Sequence, residues 1–227
     1  MDESGPDAGV QGFLAALGPS EAAALATLGR RRRFNTGTTI LREGTRSDTV
    51  VLVIGGRLKL SYLTKQGRES VLALVGPGSV LGELSAIDGE PHVASAVALE
   101  PVEAVVITGD RFREFITERP AAALALLRTV TRRLRASNRK QVEFGTQDTM
   151  ARLARCLVEL ADQHGERDGD SIAITVKLSQ DELASLTGCS REAVVKALRV
   201  LRDREWIETS RRSIRVLDLE ALAVRSL

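Results

Sequence analysis

Thr187-Gly188-Cys189-Ser190-Arg191-Glu192-Ala193-Val194-Val195-Lys196-Ala197-Leu198-Arg199-Val200-Leu201 is the stretch on which the fold turns. A tight turn at Thr187-Gly188 leads into a helix with two different faces. Val194, Ala197, Leu198 and Leu201 recur at i, i+3, i+4 and i+7, which makes one apolar stripe. Glu192, Val195, Lys196 and Arg199 keep the same spacing on the other side. Ser190 stands where an N-cap hydroxyl accepts an orphan backbone N–H, and Arg191 follows in the first turn. A helix anchored by one face, with Arg, Glu and Lys on its other face and N-terminal end, has the chemistry to read base edges in a major groove. A solvated amphipathic helix shows the same two faces, so the residues before it decide between the readings.

Ser179-Gln180-Asp181-Glu182 is a capping box, with Ser at the cap and Glu three residues on. It starts a short helix over 180–186, whose apolar positions are Leu183, Ala184 and Leu186. Helix, glycine turn and capped second helix are the parts of a helix-turn-helix. After it, 206–210 and 213–217 read as a hairpin across Arg211-Arg212, a wing whose two tip arginines suit phosphates. Asp218 can cap a last short helix.

The charge agrees. The net charge is only +2, but 191–215 holds eight basic residues against four acidic ones. That local excess suits a phosphate backbone. Aromatics are 3% of the chain, which argues against a platform for stacking single-stranded bases. Cys156 and Cys189 are far apart without metal-ligand spacing and read as small buried hydrophobes. No leader sequence and no apolar run approaching a membrane span is present, so a cytoplasmic protein without a membrane partner is expected.

Upstream, residues 1–12 are polar with Gly5, Pro6 and Gly9, and a mobile tail is expected. Short helices over 13–17 and 20–28 are split by Gly18-Pro19, and the basic run 30–33 reads as the solvated start of a strand. From 34 to 107 the pattern is short strands with glycine punctuation: 38–42, 49–54, 57–64, 69–75, 93–98 and 103–108. Their spacing suggests an antiparallel roll or barrel. A short helix over 110–117 precedes a long one that begins at Pro120. There Leu124, Leu127, Thr131, Leu134, Asn138 and Gln141 follow a heptad seam, apolar at first and polar later. Some 25 residues give a helix of about 37 Å, too long to bury that seam on the roll alone, so a parallel dimer is expected. Asn138 suits register selection. The helix ends near Phe144-Gly145, and Asp148 caps the next one, over 149–162. A charged loop over 166–170 and a β-rich segment over 171–176 follow.

With these parts in place, the sequence resembles the Crp–Fnr family of bacterial transcription regulators from about Phe13 onward. Gly78-Ser79-Val80-Leu81-Gly82-Glu83-Leu84 looks like the start of the family's phosphate-binding cassette. Arg132-Arg133-Leu134-Arg135-Ala136-Ser137-Asn138 resembles its dimer helix, and Gly188-Cys189-Ser190-Arg191-Glu192 resembles the opening of its recognition helix. The resemblance implies an α+β chain. Its expected parts are a β-roll of the cyclic-nucleotide-binding type over 1–118, a dimerisation helix and hinge over 119–145, and a winged helix-turn-helix over 146–227. It also implies double-stranded DNA, a second copy of the chain and RNA polymerase as partners.

Arg191 and Glu192 occupy the positions that contact G·C pairs of a TGTGA-like half-site in the family. Arg can grip guanine O6/N7 and a carboxylate can accept from cytosine N4. Lys196 stands where the family often has a second Arg, and keeps the charge without the bidentate fork. Ser179 matches a hydroxyl that bonds phosphate. Ser190, Val195, Arg199, Arg211 and Arg212 complete the expected DNA-binding set.

In the sensor, the resemblance assigns effector contacts to Gly82, Glu83, Leu84 and Ser85 on the cassette, and to Ser137 and Asn138 on the dimer helix. Arg133 is placed to brace Glu83. The match frays at His92 and Val93, which stand where a phosphate-binding Arg-Ser pair is expected. A neutral imidazole supplies one donor against a five-donor fork, and valine supplies none. Either cyclic AMP is bound more weakly, or the pocket takes another small effector or none. His92 as a haem or metal ligand has only His164 as a second imidazole, and His164 reads as a helix-end residue beside the dipole. Two other classes compete. A metal-dependent cupin-like enzyme needs a His and carboxylate cluster that two distant histidines do not supply, and no G-x-S-x-G elbow occurs. A bare cyclic-nucleotide module for a partner enzyme would not need the helix-turn-helix.

Overall fold

The computed structural model describes residues 12–67 and 69–226, and these fall into two compact units divided between Ala136 and Ser137. The mobile tail expected at the N-terminus lies, apart from Gly12, outside the described residues.

The first unit opens with helices α1 (Phe13–Ala16) and α2 (Pro19–Thr27) and continues into strands β1 (Arg30–Phe34), β2 (Thr39–Leu41), β3 (Thr49–Gly55), β4 (Leu58–Leu63), β5 (Glu69–Val75) and β6 (Val80–Leu81). Helix α3 (Glu83–Asp88), strands β7 (Ser95–Ala98) and β8 (Val102–Thr108), helix α4 (Gly109–Glu118) and the long helix α5 (Pro120–Thr146) follow. The strands form two antiparallel sheets in the orders β1-β8-β3-β6 and β2-β7-β4-β5. Val51 and Val53 of β3 join one apolar cluster with Leu58, Val75 and Ala104, while Val50 and Leu52 of the same strand face another with Phe112 and Phe115. Period-2 alternation thus puts both faces of β3 in apolar surroundings.

Two elements here were not foreseen in full. The basic run is strand β1 itself, paired with β8 from Arg30↔Val106 to Phe34↔Val102. All four arginines are exposed, so no apolar alternation announces the strand. It lies at a sheet edge, where charged residues guard against further pairing. Helix α3 is short and starts after Gly82, whose φ is 79°. A Cβ at Gly82 would lie 2.2 Å from the Thr49 carbonyl oxygen, so backbone angle and close approach together exclude a side chain.

Helix α5 has two faces. Ala122, Ala125 and Leu126 sit in the Phe112–Phe115 cluster, and Thr129 is buried beside them. Leu124, Leu127 and Leu134 of the expected seam are exposed, as are Asn138 and Gln141, with Thr131 half-buried. Within one chain the seam is left uncovered.

The second unit contains the end of α5, then α6 (Thr149–His164), β9 (Gly165–Asp168), β10 (Ser171–Ile174), α7 (Gln180–Thr187), α8 (Arg191–Asp203), β11 (Ile207–Ser210), β12 (Ser213–Val216) and α9 (Leu219–Arg225). Asp148 caps α6 by accepting from Ala151 N (2.8 Å), and Asp218 caps α9 by accepting from Ala221 N (2.8 Å). The sheet order is β11-β12-β10-β9. The expected charged loop is therefore half a hairpin: β9 pairs with β10 across Gly169, whose φ is 62°. Its exposed Glu166, Arg167 and Asp168 hid the strand. Cys156 and Cys189 are free thiols; Cys189 is only partly buried, which corrects the expectation for it, whereas burial pushes the Cys156 thiol up to about 12. His164 is the last residue of α6 and is buried.

Candidate nucleic-acid interface and sensor cassette

The helix-turn-helix is built from its caps. Ser179 Oγ accepts from Glu182 N (3.2 Å), and Glu182 Oε2 accepts from Ser179 N (2.8 Å) and from its hydroxyl (2.9 Å). Gly188 ends α7 at φ 61°, and a Cβ there would lie 2.9 Å from the Phe144 ring. Ser190 then caps α8, accepting from Ala193 N (3.1 Å). Val194, Ala197, Leu198 and Leu201 are buried, while Arg191, Glu192, Val195, Lys196 and Arg199 are exposed on the other side. The split is the one that anchoring by one face requires.

The wing forms as expected, with Ser210↔Ser213 paired across Arg211-Arg212. Both tip arginines are exposed, and Arg212 is held at φ 57°, a conformation few non-glycine residues adopt. A cleft between α7, α8 and the wing is lined by Ser179, Gln180, Asp181, Arg191, Arg211 and Arg212 among others. The expected DNA-binding residues thus share one unit. Four of them already have partners within it: Ser179 has its hydroxyl engaged in the capping box, Ser190 in the cap, Arg191 lies 3.8 Å from Asp181, and Arg199 lies 3.8 Å from Asp203.

Other residues of this unit were missed. Arg152 donates to the Phe144 carbonyl (3.0 Å) and to Cys189 Sγ (3.2 Å), and its guanidinium lies over the Phe144 ring. Phe144, Arg152, Gly188 and Cys189 therefore tie the end of α5 to the turn before α8. Arg152 lies 36 residues from Gly188, beyond any local periodicity, so no signal in the sequence joined them.

In the first unit, Gly82, Glu83, Ser85, His92 and Arg133 converge. Glu83 is 2% exposed and accepts from Arg133 Nη1, while Arg133 Nη2 donates to the Val80 carbonyl (2.9 Å). Burial pushes the Glu83 carboxyl above its ordinary value, and Arg133 pulls the other way. His92 is 5% exposed, and its Nδ1 lies 3.0 Å from Ser85 Oγ. Its backbone N–H donates to Thr45 O (3.1 Å) and its carbonyl accepts from Gly44 N (2.9 Å). Burial holds the imidazole below its ordinary value. Val93 is 70% exposed and Leu84 39%. Ser137 and Asn138 belong to the second unit and are exposed. Between Gly82 and Val93 there is no Arg or Lys. Arg113 supports the cassette from outside, bonding the Ala86 carbonyl and Asp48 (2.9 Å), a brace the sequence did not suggest.

Residues 31–119 match the cyclic nucleotide-binding domain model, and 151–225 match the Crp-like helix-turn-helix domain model. The chain belongs to the Crp–Fnr family. A CRP-like cAMP-activated global transcriptional regulator of Mycobacterium tuberculosis is 35% identical over 215 residues, 95% of this chain and 96% of that one. The cyclic AMP receptor protein of Thermus thermophilus is 30% identical over 185 residues, 82% of each chain. Among solved structures, a CRP-family transcriptional regulator from Thermus thermophilus superposes with a TM-score of 0.73 at 28% identity, covering 86% of this chain and 96% of that one. The protein is thus a Crp–Fnr DNA-binding transcription regulator with a cyclic nucleotide-binding domain, and these relatives set aside both the enzyme and the bare sensory module. Among the described residues no helix is long and apolar enough to cross a membrane.

Proposed function

We propose that this regulator works as a homodimer that reads an inverted repeat of TGTGA-like half-sites, one half-site per chain, through Arg191 and Glu192. The observation that carries the reading is the division of α8, which buries its aliphatic stripe and leaves Arg191, Glu192, Lys196 and Arg199 exposed beside the wing. Arg191 grips guanine O6/N7, Glu192 accepts from cytosine N4, and Lys196 adds a less selective contact. Val195 meets a thymine methyl, and Ser179, Ser190, Arg199, Arg211 and Arg212 address phosphates. Dimerisation runs through Leu124, Leu127, Thr131, Leu134, Asn138 and Gln141, whose uncovered seam supports it. In functional terms, 1–118 senses, 119–145 dimerises and acts as hinge, and 146–227 binds DNA, with RNA polymerase as a further partner of the regulator. Footprinting of the full chain on such a palindrome tests this. Absence of a protected site at every salt and effector condition overturns it.

We further propose that the cassette has altered phosphate contacts. The residues fit a group that donates to a buried carboxylate, since Glu83 is held by Arg133. They fit a cyclic phosphate poorly: His92 is buried and turned to Ser85, burial disfavours its charged form, and Val93 carries no donor. A second reading, retained cyclic-AMP binding at reduced affinity, is favoured by the relative described as cAMP-activated. Titration calorimetry with cyclic AMP, cyclic GMP and cyclic dinucleotides separates the two, and tight cyclic-AMP binding overturns the altered pocket. An effector controls DNA binding only if it binds two arrangements of the chain with different affinity.

A further inference from the structure

We propose that Asp181 is a positioning residue that sets the specificity of the DNA interface: its carboxylate buttresses the Arg191 guanidinium toward a base and penalises complexes in which Arg191 swings to a phosphate. The inference rests on the reading of Arg191 as a base reader.

Asp181 Oδ2 lies 3.8 Å from Arg191 Nη1, with both side chains largely exposed. An exposed pair at that distance adds little to folding. Nor is Asp181 needed as a cap, because Glu182 and Ser179 already close the capping box. Its consequence lies in binding. Asp181 is the one carboxylate among the described residues that line the cleft, against Arg191, Arg211 and Arg212. A carboxylate facing incoming phosphates is a cost unless a cation neutralises it.

The two kinds of complex differ in whether that cation stays. On a matched site Arg191 points its fork at guanine, remains beside Asp181 and shields its charge. On random DNA the guanidinium gains most by turning to the nearest phosphate. Asp181 is then left unpaired against the phosphate array. The carboxylate therefore subtracts from sequence-independent affinity, the term that dominates non-specific binding, more than from specific affinity.

The test uses the full chain and two duplexes: one selected from a random pool by the wild-type protein, and one scrambled. Asp181→Asn keeps the shape and removes the charge. It should raise affinity for the scrambled duplex about 3- to 10-fold at low salt and change the selected duplex by less than about twofold. D181E should restore the wild-type ratio, which a merely structural role would not. In an Arg191→Ala background, Asp181→Asn should shift both duplexes by the same factor. A thermal melt equal to wild type establishes that the variant folds. If Arg191→Ala alone weakens both duplexes equally, base reading fails and this inference with it. If Arg191→Ala costs only the selected duplex while Asp181→Asn shifts both equally, Asp181 has no role in specificity.

Discussion

Replacing Leu127 or Leu134 by alanine tests whether the uncovered seam of α5 is a dimer interface. The two side chains are 61% and 59% exposed in one chain. Full burial of a leucine contributes about 1.5–3 kcal/mol, so roughly 1–2 kcal/mol per side chain is still to be gained when a partner covers it. Alanine forfeits most of that, and a twofold axis repeats the loss in the second copy. Each substitution should therefore weaken dimerisation by about 2 kcal/mol or somewhat more, which is about 30-fold in the dissociation constant. Leu126 is the control. It is 4% exposed and packs with Phe112 and Phe115 inside its own chain. Leu126→Ala should cost about 2–5 kcal/mol of folding stability while leaving the association of folded chains much closer to wild type. Sedimentation equilibrium over a concentration series reads the dissociation constants, and a urea titration reads stability. A dimer constant that moves by less than about threefold in both seam variants refutes the interface. So does a wild-type chain that stays monomeric throughout.

Arg191→Ala should cost about 1–3 kcal/mol at a matched site and much less on random DNA, measured by fluorescence anisotropy; equal losses refute base reading. Gly188→Ala should destabilise the second unit by about 1–3 kcal/mol, because a left-handed backbone is costly for alanine and its Cβ meets the Phe144 ring. An unchanged urea midpoint would falsify that account. The pH dependence of stability should carry a contribution from His92. Its imidazole is held below the ordinary value in the folded chain, so below about pH 6.5 the unfolded chain binds more protons. Stability then falls as pH drops from about 6.5 toward the folded value, and His92→Gln should flatten that part of the curve in thermal melts. Parallel curves for the two proteins refute it.

The second unit was more legible than the first because its signals are local. A capping box is complete within four residues, and Ser190, Asp148 and Asp218 each accept from a backbone N–H three positions on. Two-face periodicity in α8 follows from burial on one side only, and the wing turn is set by the two residues between paired strands. What escaped were elements whose side chains do not report their backbone partners. Strand β1 pairs along its whole length with β8 while all its arginines face solvent, and β9 pairs along its whole length with β10 while its charged residues are exposed. Contacts across long separations also escaped: Arg152 with Phe144 and Cys189, Arg113 with Asp48 and Ala86, and Asp181 with Arg191 across the turn. None of these has a period.

The cassette shows why a motif locates a site more reliably than it gives its chemistry. Gly82 and Glu83 are dictated by geometry and pairing: one by the Thr49 carbonyl that leaves no room for a Cβ, the other by Arg133. Both constraints hold whatever the effector is. Position 92 has no such obligation, because a loop residue there can turn toward solvent or inward. The sequence marks it only as a histidine where the family resemblance leads one to expect an arginine. The fold adds that this histidine is fastened at both its backbone groups to Gly44 and Thr45 and at Nδ1 to Ser85. An arginine could not occupy that buried seat without a counter-charge. His92 is thus part of the wall of the cassette, buried at 5% exposure beside Ser85. His92→Arg alone should therefore not create a phosphate clamp, since Val93 still supplies no donor and Ser85 loses its imidazole partner. Calorimetry of that single variant against His92→Arg with Val93→Ser measures the difference. The double variant should bind cyclic AMP more tightly than the single one, and equal affinity would refute the coupling of the two positions.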